Sequence, residues 1–251
     1  MAESPEPIPA ATLVLMRERG AGPPEILLTE RAGTMAFAAG ALVFPGGRID
    51  PADHEAAARY AGFDEAPARI AAIRETLEET GIAVATSPAA APDDAAAMRA
   101  ALCAGAPFAE ALAARGLALD LAALTPFARW CPNFRETRRF DTLFFLAGAP
   151  ADIPAATADA SEAVHTFWAA AADVLADVDA GRAHVIFPTR RNLERLARFG
   201  SIEEALADAG RHPVSKITPW VEEREGRPHV CIPDDVGYPV TSEPLETARR
   251  R

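Results

Sequence analysis

One run, Arg74-Glu75-Thr76-Leu77-Glu78-Glu79-Thr80-Gly81-Ile82, constrains the fold of this chain more than any other stretch. On a helix of 3.6 residues per turn, Glu75, Glu78 and Glu79 stand at i, i+3 and i+4 and share one face. Ile70, Ile73 and Leu77 recur at the same spacing on another face. The helix expected from about Pro67 to Thr80 is therefore amphipathic and carries an acidic stripe. Each like-charge pair costs roughly 0.2–0.5 kcal/mol, so a sequence selected only for helix stability would alternate Glu with Lys. Two readings follow. Either a hard divalent cation, for which oxygen ligands suit Mg²⁺, sits on the stripe, or the stripe is a solvated helix face. Its surroundings decide between them.

Upstream residues read as short strands. Ala11 to Met16 is an apolar run closed by Gly20-Ala-Gly-Pro-Pro24, and Glu25 to Thr29 follows, which predicts a strand–turn–strand pair. Ala41 to Phe44 predicts a third strand, stopped by Pro45-Gly46-Gly47, where backbone turns tightly or approaches a ligand closely. Asp50 to Asp64 reads as a polar, Ala-rich loop, and Gly81 suits the C-terminal cap of the acidic helix.

Downstream, 88–124 is rich in Ala and Leu and predicts one or two helices, broken at Gly105 and Gly116. Phe127 to Trp130, Asp141 to Ala147 and Ala163 to Trp168 predict strands, and Ala170 to Val178 a helix. The segment Cys131-Pro-Asn-Phe-Arg-Glu-Thr-Arg-Arg139 is the most basic of the first two-thirds. After Gly181 come a helix over Thr189 to Phe199, with Leu193 and Leu196 inward, and a second opened by the capping pair Ser201 and Glu204. Arg190 and Arg191 are expected on a solvated helix face. A hairpin over Trp220 to Ile232 turns at Glu225-Gly226, and both ends of the chain read as loose tails.

Of the residues, 49% are hydrophobic and 24% charged, the balance of a soluble globular protein. A net charge of −11 argues against nucleic acid or an anionic membrane as partner, and any phosphorylated substrate must be received by local cations. Cys103, Cys131 and Cys231 are odd in number and lack metal-ligand spacing, so they read as small core residues of a cytoplasmic protein. No signal pattern opens the chain, and no apolar run approaches the ~20 residues of a membrane span.

Phe44-Pro-Gly-Gly47 followed by Arg74-Glu75-x-x-Glu78-Glu79-x-Gly81-Ile82 resembles the signature of the Nudix hydrolases. Those are metal-dependent pyrophosphohydrolases that split a nucleoside diphosphate linked to another group. Gly47 matches the first glycine of the family box, and Asp53 falls at its acid position, where Glu is usual. The interval from Asp53 to Arg74 is longer than the family's, an insertion at 54–66, and Thr76 stands where an aliphatic residue is usual. Leu27-Leu28-Thr29-Glu30-Arg31-Ala32, Gly40 and Phe44 to Gly47 resemble the segment that precedes the box in coenzyme A-cleaving members. Ala36 stands in place of that segment's second arginine. With Arg138-Arg139-Phe140-Asp141-Thr142 and a C-terminal extension, the chain resembles the long, peroxisomal-type CoA-diphosphatase branch. It ends in Arg249-Arg-Arg251 instead of a Ser-Lys-Leu-type address.

The resemblance implies an α+β fold, an α/β/α sandwich with a mixed sheet over 10–180, carrying a helical insert at 88–124. A helix–hairpin extension, 181–251, is expected to pack on it, either covering the pocket or forming a homodimer interface. Mg²⁺ or Mn²⁺ is expected on Glu75, Glu78, Glu79 and the Gly47 carbonyl. Arg74 is expected to orient Glu75 by a charge-assisted hydrogen bond, with an i+4 pair to Glu78 as the alternative. Glu162 is a metal ligand, the general base, or a solvated loop residue; His165 reads as a strand residue. Arg31, Arg138 and Arg139 are candidates for substrate phosphate, and at most one of the last two faces the site if both lie on a strand. The expected substrate is a nucleoside diphosphate derivative, CoA or an acyl-CoA. ADP-ribose, an NDP-sugar or a dinucleotide, and nucleotide binding without turnover, are the alternatives.

Overall fold

The computed structural model describes residues 6–31, 40–133, 139–151 and 163–250. The chain opens with β1 (Ile8–Arg17), β2 (Glu25–Arg31), β3 (Leu42–Val43) and β4 (Gly46–Arg48). Next come α1 (Pro51–Ala57), α2 (Ala66–Thr80), β5 (Thr86–Ser87), α3 (Pro92–Cys103), α4 (Phe108–Ala113) and β6 (Ala118–Leu119). A 3₁₀ turn (Leu121–Ala123) leads into β7 (Thr125–Trp130), β8 (Phe140–Gly148) and β9 (Ala163–Ala170). The remainder is α5 (Ala171–Asp179), α6 (Phe187–Leu196), α7 (Ile202–Arg211), β10 (Lys216–Ile217), β11 (Trp220–Arg224), β12 (Arg227–Cys231), β13 (Ser242–Pro244) and α8 (Leu245–Arg250).

β1 is apolar on both faces, as a central strand must be. It runs parallel to β8 from Ile8↔Phe140 to Met16↔Gly148. β7 pairs antiparallel with β8 and takes β10 alongside in parallel. Side chains alternate across a strand, and the alternation sets the layers. Leu13, Leu15, Leu143 and Phe145 join one cluster with α2, α3 and α4, while Val14, Met16, Phe144 and Leu146 join another with α5, α6 and α7. The result is the expected α/β/α sandwich around a mixed sheet.

The sheet is split where it matters. β2 pairs with β1 only at Met16↔Ile26 and Arg17↔Glu25. Continued, that register would set Arg31 against Ala11, but Ala11 pairs with Gly47 of β4. β2 has swung away to pair with β3 and β9. β4 occupies the opening.

Several expectations need correction. The stretch from Asp50 is not all loop: Asp50-Pro51 starts α1, with proline in the first turn and the Asp53 carboxylate accepting from Asp50 N–H at 2.9 Å. Gly46 and Gly47 belong to a strand rather than only to a turn. The third strand is two residues long, and α6 starts earlier than expected, with Pro188 in its first turn. β5 and β6, two residues each, are too short to show any period. The C-terminal stretch forms β13 and α8 instead of a frayed tail. Cys103 is exposed, whereas Cys131 and Cys231 are buried.

Arg190 and Arg191 are the largest error. Both are buried, Arg191 to 1% exposure, because α6 is enclosed by the sheet and by the C-terminal strands. Arg191 pairs with Glu194 at 2.8 Å and faces Glu243 of β13 at 3.6 Å, while Arg190 pairs with Asp179 and Glu194. Arg195, also buried, binds Asp208 of α7 and the Phe127 carbonyl. Trp130 Nε1 donates to Tyr238 Oη, which donates to Asn192 Oδ1 at 2.6 Å; burial pushes the Tyr238 hydroxyl up to about 12. These contacts tie the extension to β7. The hairpin turns as expected, with Glu225 and Gly226 both at positive φ.

Candidate active site

α2 is held on three sides. Pro67 stands in its first turn and Gly81, at φ 74°, closes it, with Gly81 N–H on the Leu77 carbonyl. Ile70, Ile73 and Leu77 pack into the core, and so do Thr76 and Thr80. The Thr76 hydroxyl donates to the Ala72 carbonyl at 2.7 Å and that of Thr80 to the Thr76 carbonyl at 2.6 Å. A threonine at an aliphatic position is thereby tolerated, since its polar atom finds a partner one turn back.

Arg74 is the hub of the acidic face. Its Nε and Nη2 clasp both oxygens of Asp53, at 3.0 and 2.9 Å, in the bidentate geometry guanidinium favours. Nη1 reaches Glu75 at 2.9 Å and Glu78 at 3.1 Å, and Nη2 also donates to the Arg48 carbonyl. Arg74 therefore contacts Glu75 and, as an i+4 pair, Glu78. Burial alone would lower its pKa, but the Asp53 hydrogen bonds and the surrounding carboxylates outweigh it and raise it. Burial raises the Glu78 carboxyl above its usual range, with Arg74 opposing and Asp53 and Asp50 adding to the rise. Asp53, 1% exposed, anchors Arg74 and caps α1 at once. One helix-start pattern, Asp50-Pro51-x-Asp53, signals this in the sequence.

The two glycines of β4 meet the other carboxylates. Glu79 Oε2 accepts from Gly46 N–H at 3.1 Å. The Glu75 carboxylate lies where a Cβ on Gly47 would be, with Oε2 2.6 Å from that point. A Cβ on Gly46 would instead strike backbone, 2.7 Å from Thr12 Cα. The two alanine variants should therefore fail differently. Gly46→Ala is expected to cost about 1–3 kcal/mol of stability in urea unfolding, the usual cost of forced overpacking. Gly47→Ala should fold, because a flexible carboxylate can move aside, and lose on the order of a hundredfold in kcat/KM through the displaced Glu75.

Bare backbone against carboxylates provides hard oxygen donors of the kind a divalent ion takes. In kind and neighbourhood the residues fit such an ion. Among the described residues, however, no three His, Cys, Asp or Glu side chains are arranged as a group that could hold one. Arg74 sits between Glu75 and Glu78, and Glu79 turns to Gly46. One further contact had no signal in the sequence: Arg99 of α3 binds the Glu78 and Glu79 carbonyls.

The remaining candidates are dispersed. Arg31 ends β2, on the strand that swung away, and its N–H donates to the Ala41 carbonyl at 3.0 Å. Arg139 immediately precedes β8 beside the start of β1, its carbonyl accepting from Ile8 N–H, and its Nε is buried without a hydrogen-bond partner among the described residues. His165 is an exposed strand residue stacked on Phe167. Ala36, Arg138 and Glu162 lie outside the described residues. Among the described residues no helix is long and apolar enough to cross a membrane.

Comparison with known proteins gives the arrangement its context. The family model described as the NUDIX domain matches residues 6–95. No curated protein matches the chain. A NUDIX hydrolase structure from Alicyclobacillus acidocaldarius is similar at 33% identity and a TM-score of 0.70, covering 80% of this chain and 96% of that one. A MutT protein from Methanosarcina mazei Go1 matches at 18% identity and a TM-score of 0.43, covering 78% of this chain and 97% of that one. The NUDIX domain of Shewanella oneidensis NrtR, in a complex with ADP ribose, matches at 16% and 0.45, covering 78% and 88%. One third of the residues are shared along almost the whole of the Alicyclobacillus hydrolase, and the family model spans the glycine strand and the glutamate helix, so the chain belongs to the Nudix hydrolases, enzymes that act on pyrophosphate bonds.

Proposed function

We propose that this enzyme hydrolyses the phosphoanhydride of CoA or an acyl-CoA, releasing adenosine 3′,5′-bisphosphate and a phosphopantetheine half. The observation that carries this reading is the segment from Leu27 to Gly47. Its described ends, 27–31 and 40–47, pair at Thr29↔Val43 and Glu30↔Leu42, directly beside the opening that holds Gly46 and Gly47. The proximity of these described residues to the glycine strand supports the reading.

Glu75, Glu78, Glu79 and the Gly47 carbonyl would hold Mg²⁺ or Mn²⁺, which supplies charge stabilisation on phosphoryl oxygens and a more acidic bound water. Arg74 holds Glu75 and Glu78 while Asp53 holds Arg74, so the carboxylates would turn from these contacts to gather on one ion. The Nε of Arg139, without a partner among the described residues, suits an anionic substrate oxygen, and Arg31, at the end of β2, is the second candidate cation. Arg138 and Glu162 keep their places in this proposal as a further anion contact and a further acid.

The test is a substrate panel with Mg²⁺: CoA, acetyl-CoA, ADP-ribose, NADH and an NDP-sugar, with products separated by chromatography. CoA or acetyl-CoA should exceed the others by roughly tenfold or more in kcat/KM, a margin that a few substrate contacts supply. Brisk cleavage of ADP-ribose with none of CoA would sink the substrate assignment and leave the hydrolase.

A further inference from the structure

The helical insert reaches back to the acidic helix through one side chain. Arg99, on α3, donates from Nε to the Glu78 carbonyl at 2.9 Å and from Nη2 to the Glu79 carbonyl at 3.3 Å. The last carbonyls of a helix have no partner within it. Gly81 N–H takes that of Leu77, and Arg99 supplies donors for the next two. A cation at this end also opposes the negative pole of the helix dipole, to which the clustered glutamates add their own charge. One planar guanidinium bridges two successive carbonyls, a geometry an ammonium group does not reproduce.

We propose that Arg99 is a positioning residue of the metal site. It fixes the backbone from which Glu78 and Glu79 project, and so sets how tightly the site takes a divalent ion. This rests on the reading of Glu75, Glu78 and Glu79 as the metal-holding set. It gives α3 a part in the reaction beyond covering α2. Two effects oppose each other at Arg99: its charge repels an arriving ion, and its hydrogen bonds hold the ligands still. Arg74, in direct contact with Glu75 and Glu78, dominates the local positive charge. Losing Arg99 therefore changes the field less than it loosens the ligands.

Mn²⁺ binding, followed by titration calorimetry and by the resonance signal of free Mn²⁺, tests this without turnover. The proteins compared are wild type, Arg99→Ala, Arg99→Lys, Glu78→Gln and, as a control within the insert, Arg115→Ala, whose side chain pairs with Asp94 at the surface. The Kd for Mn²⁺ should rise roughly tenfold in Arg99→Ala, the low end of what groups behind metal ligands contribute. It should recover in part in Arg99→Lys and stay unchanged in Arg115→Ala. If Arg99→Ala does not fold, the lysine variant decides: an intermediate Kd supports the proposal and a wild-type Kd overturns it. Wild-type affinity in Arg99→Ala, beside lost binding in Glu78→Gln, also overturns it. Undiminished binding in Glu78→Gln is a different result, which removes the metal-site reading and this inference with it.

Discussion

Glu79→Gln is expected to lower kcat/KM about a thousandfold, roughly 4 kcal/mol of transition-state stabilisation, while leaving the protein folded. Glutamine has the same length and keeps an oxygen able to accept from Gly46 N–H, the 3.1 Å contact that docks α2 on β4. The substitution removes charge and spares the packing. Kinetics over a Mg²⁺ titration, with a thermal melt alongside, separates the two effects. A variant with unchanged melting and near-normal kcat/KM would take Glu79 out of the metal-holding set. Glu78 is a less clean target because it shares Arg74 with Glu75, so its loss also redistributes the arginine's contacts.

Asp53→Ala should give the largest loss of stability of any single change in the site, about 3 kcal/mol. Breaking a buried ion pair costs about 3–5 kcal/mol because the surviving charge is left uncompensated. Arg74 would retain Glu75, Glu78 and the Arg48 carbonyl, which places the effect at the lower end. The helix α1 would lose the Asp53 half of its capping box at the same time. Urea unfolding measures this directly. A loss below about 1 kcal/mol, typical of an exposed pair, would show that Asp53 and Arg74 do not act as a buried couple. Asp53→Asn should fall between, retaining a hydrogen bond without the charge.

The acidic helix and its glycine partner were legible because each is local. Spacing alone places Glu75, Glu78 and Glu79 together, and Pro45-Gly46-Gly47 announces a close backbone approach. Thr76, an apparent departure from an aliphatic pattern, is explained by a bond to the carbonyl four residues back. Burial of Arg190 and Arg191 was not legible. A helix with several arginines reads as solvated unless Glu243 is known to lie beside it, and that pairing depends on β13 returning from the far end of the chain. Arg99 was hidden for the same reason, since nothing in an Ala-rich stretch says which helix end it will meet.

The parallel pairing of β1 with β8 has a consequence for how the protein is made. Ile8 cannot find Phe140 until everything between them has left the ribosome, at about 5–20 residues per second. During that interval of roughly ten seconds β1 has only β2 and β4 as strand partners. The same interval leaves the three glutamates displayed on a helix whose sheet is half built. Pairings between such distant segments form slowly, because loop closure must precede any gain from contact. A nascent chain stalled within the insert would therefore present an open edge at β1, the place where an early-acting chaperone would have most to protect.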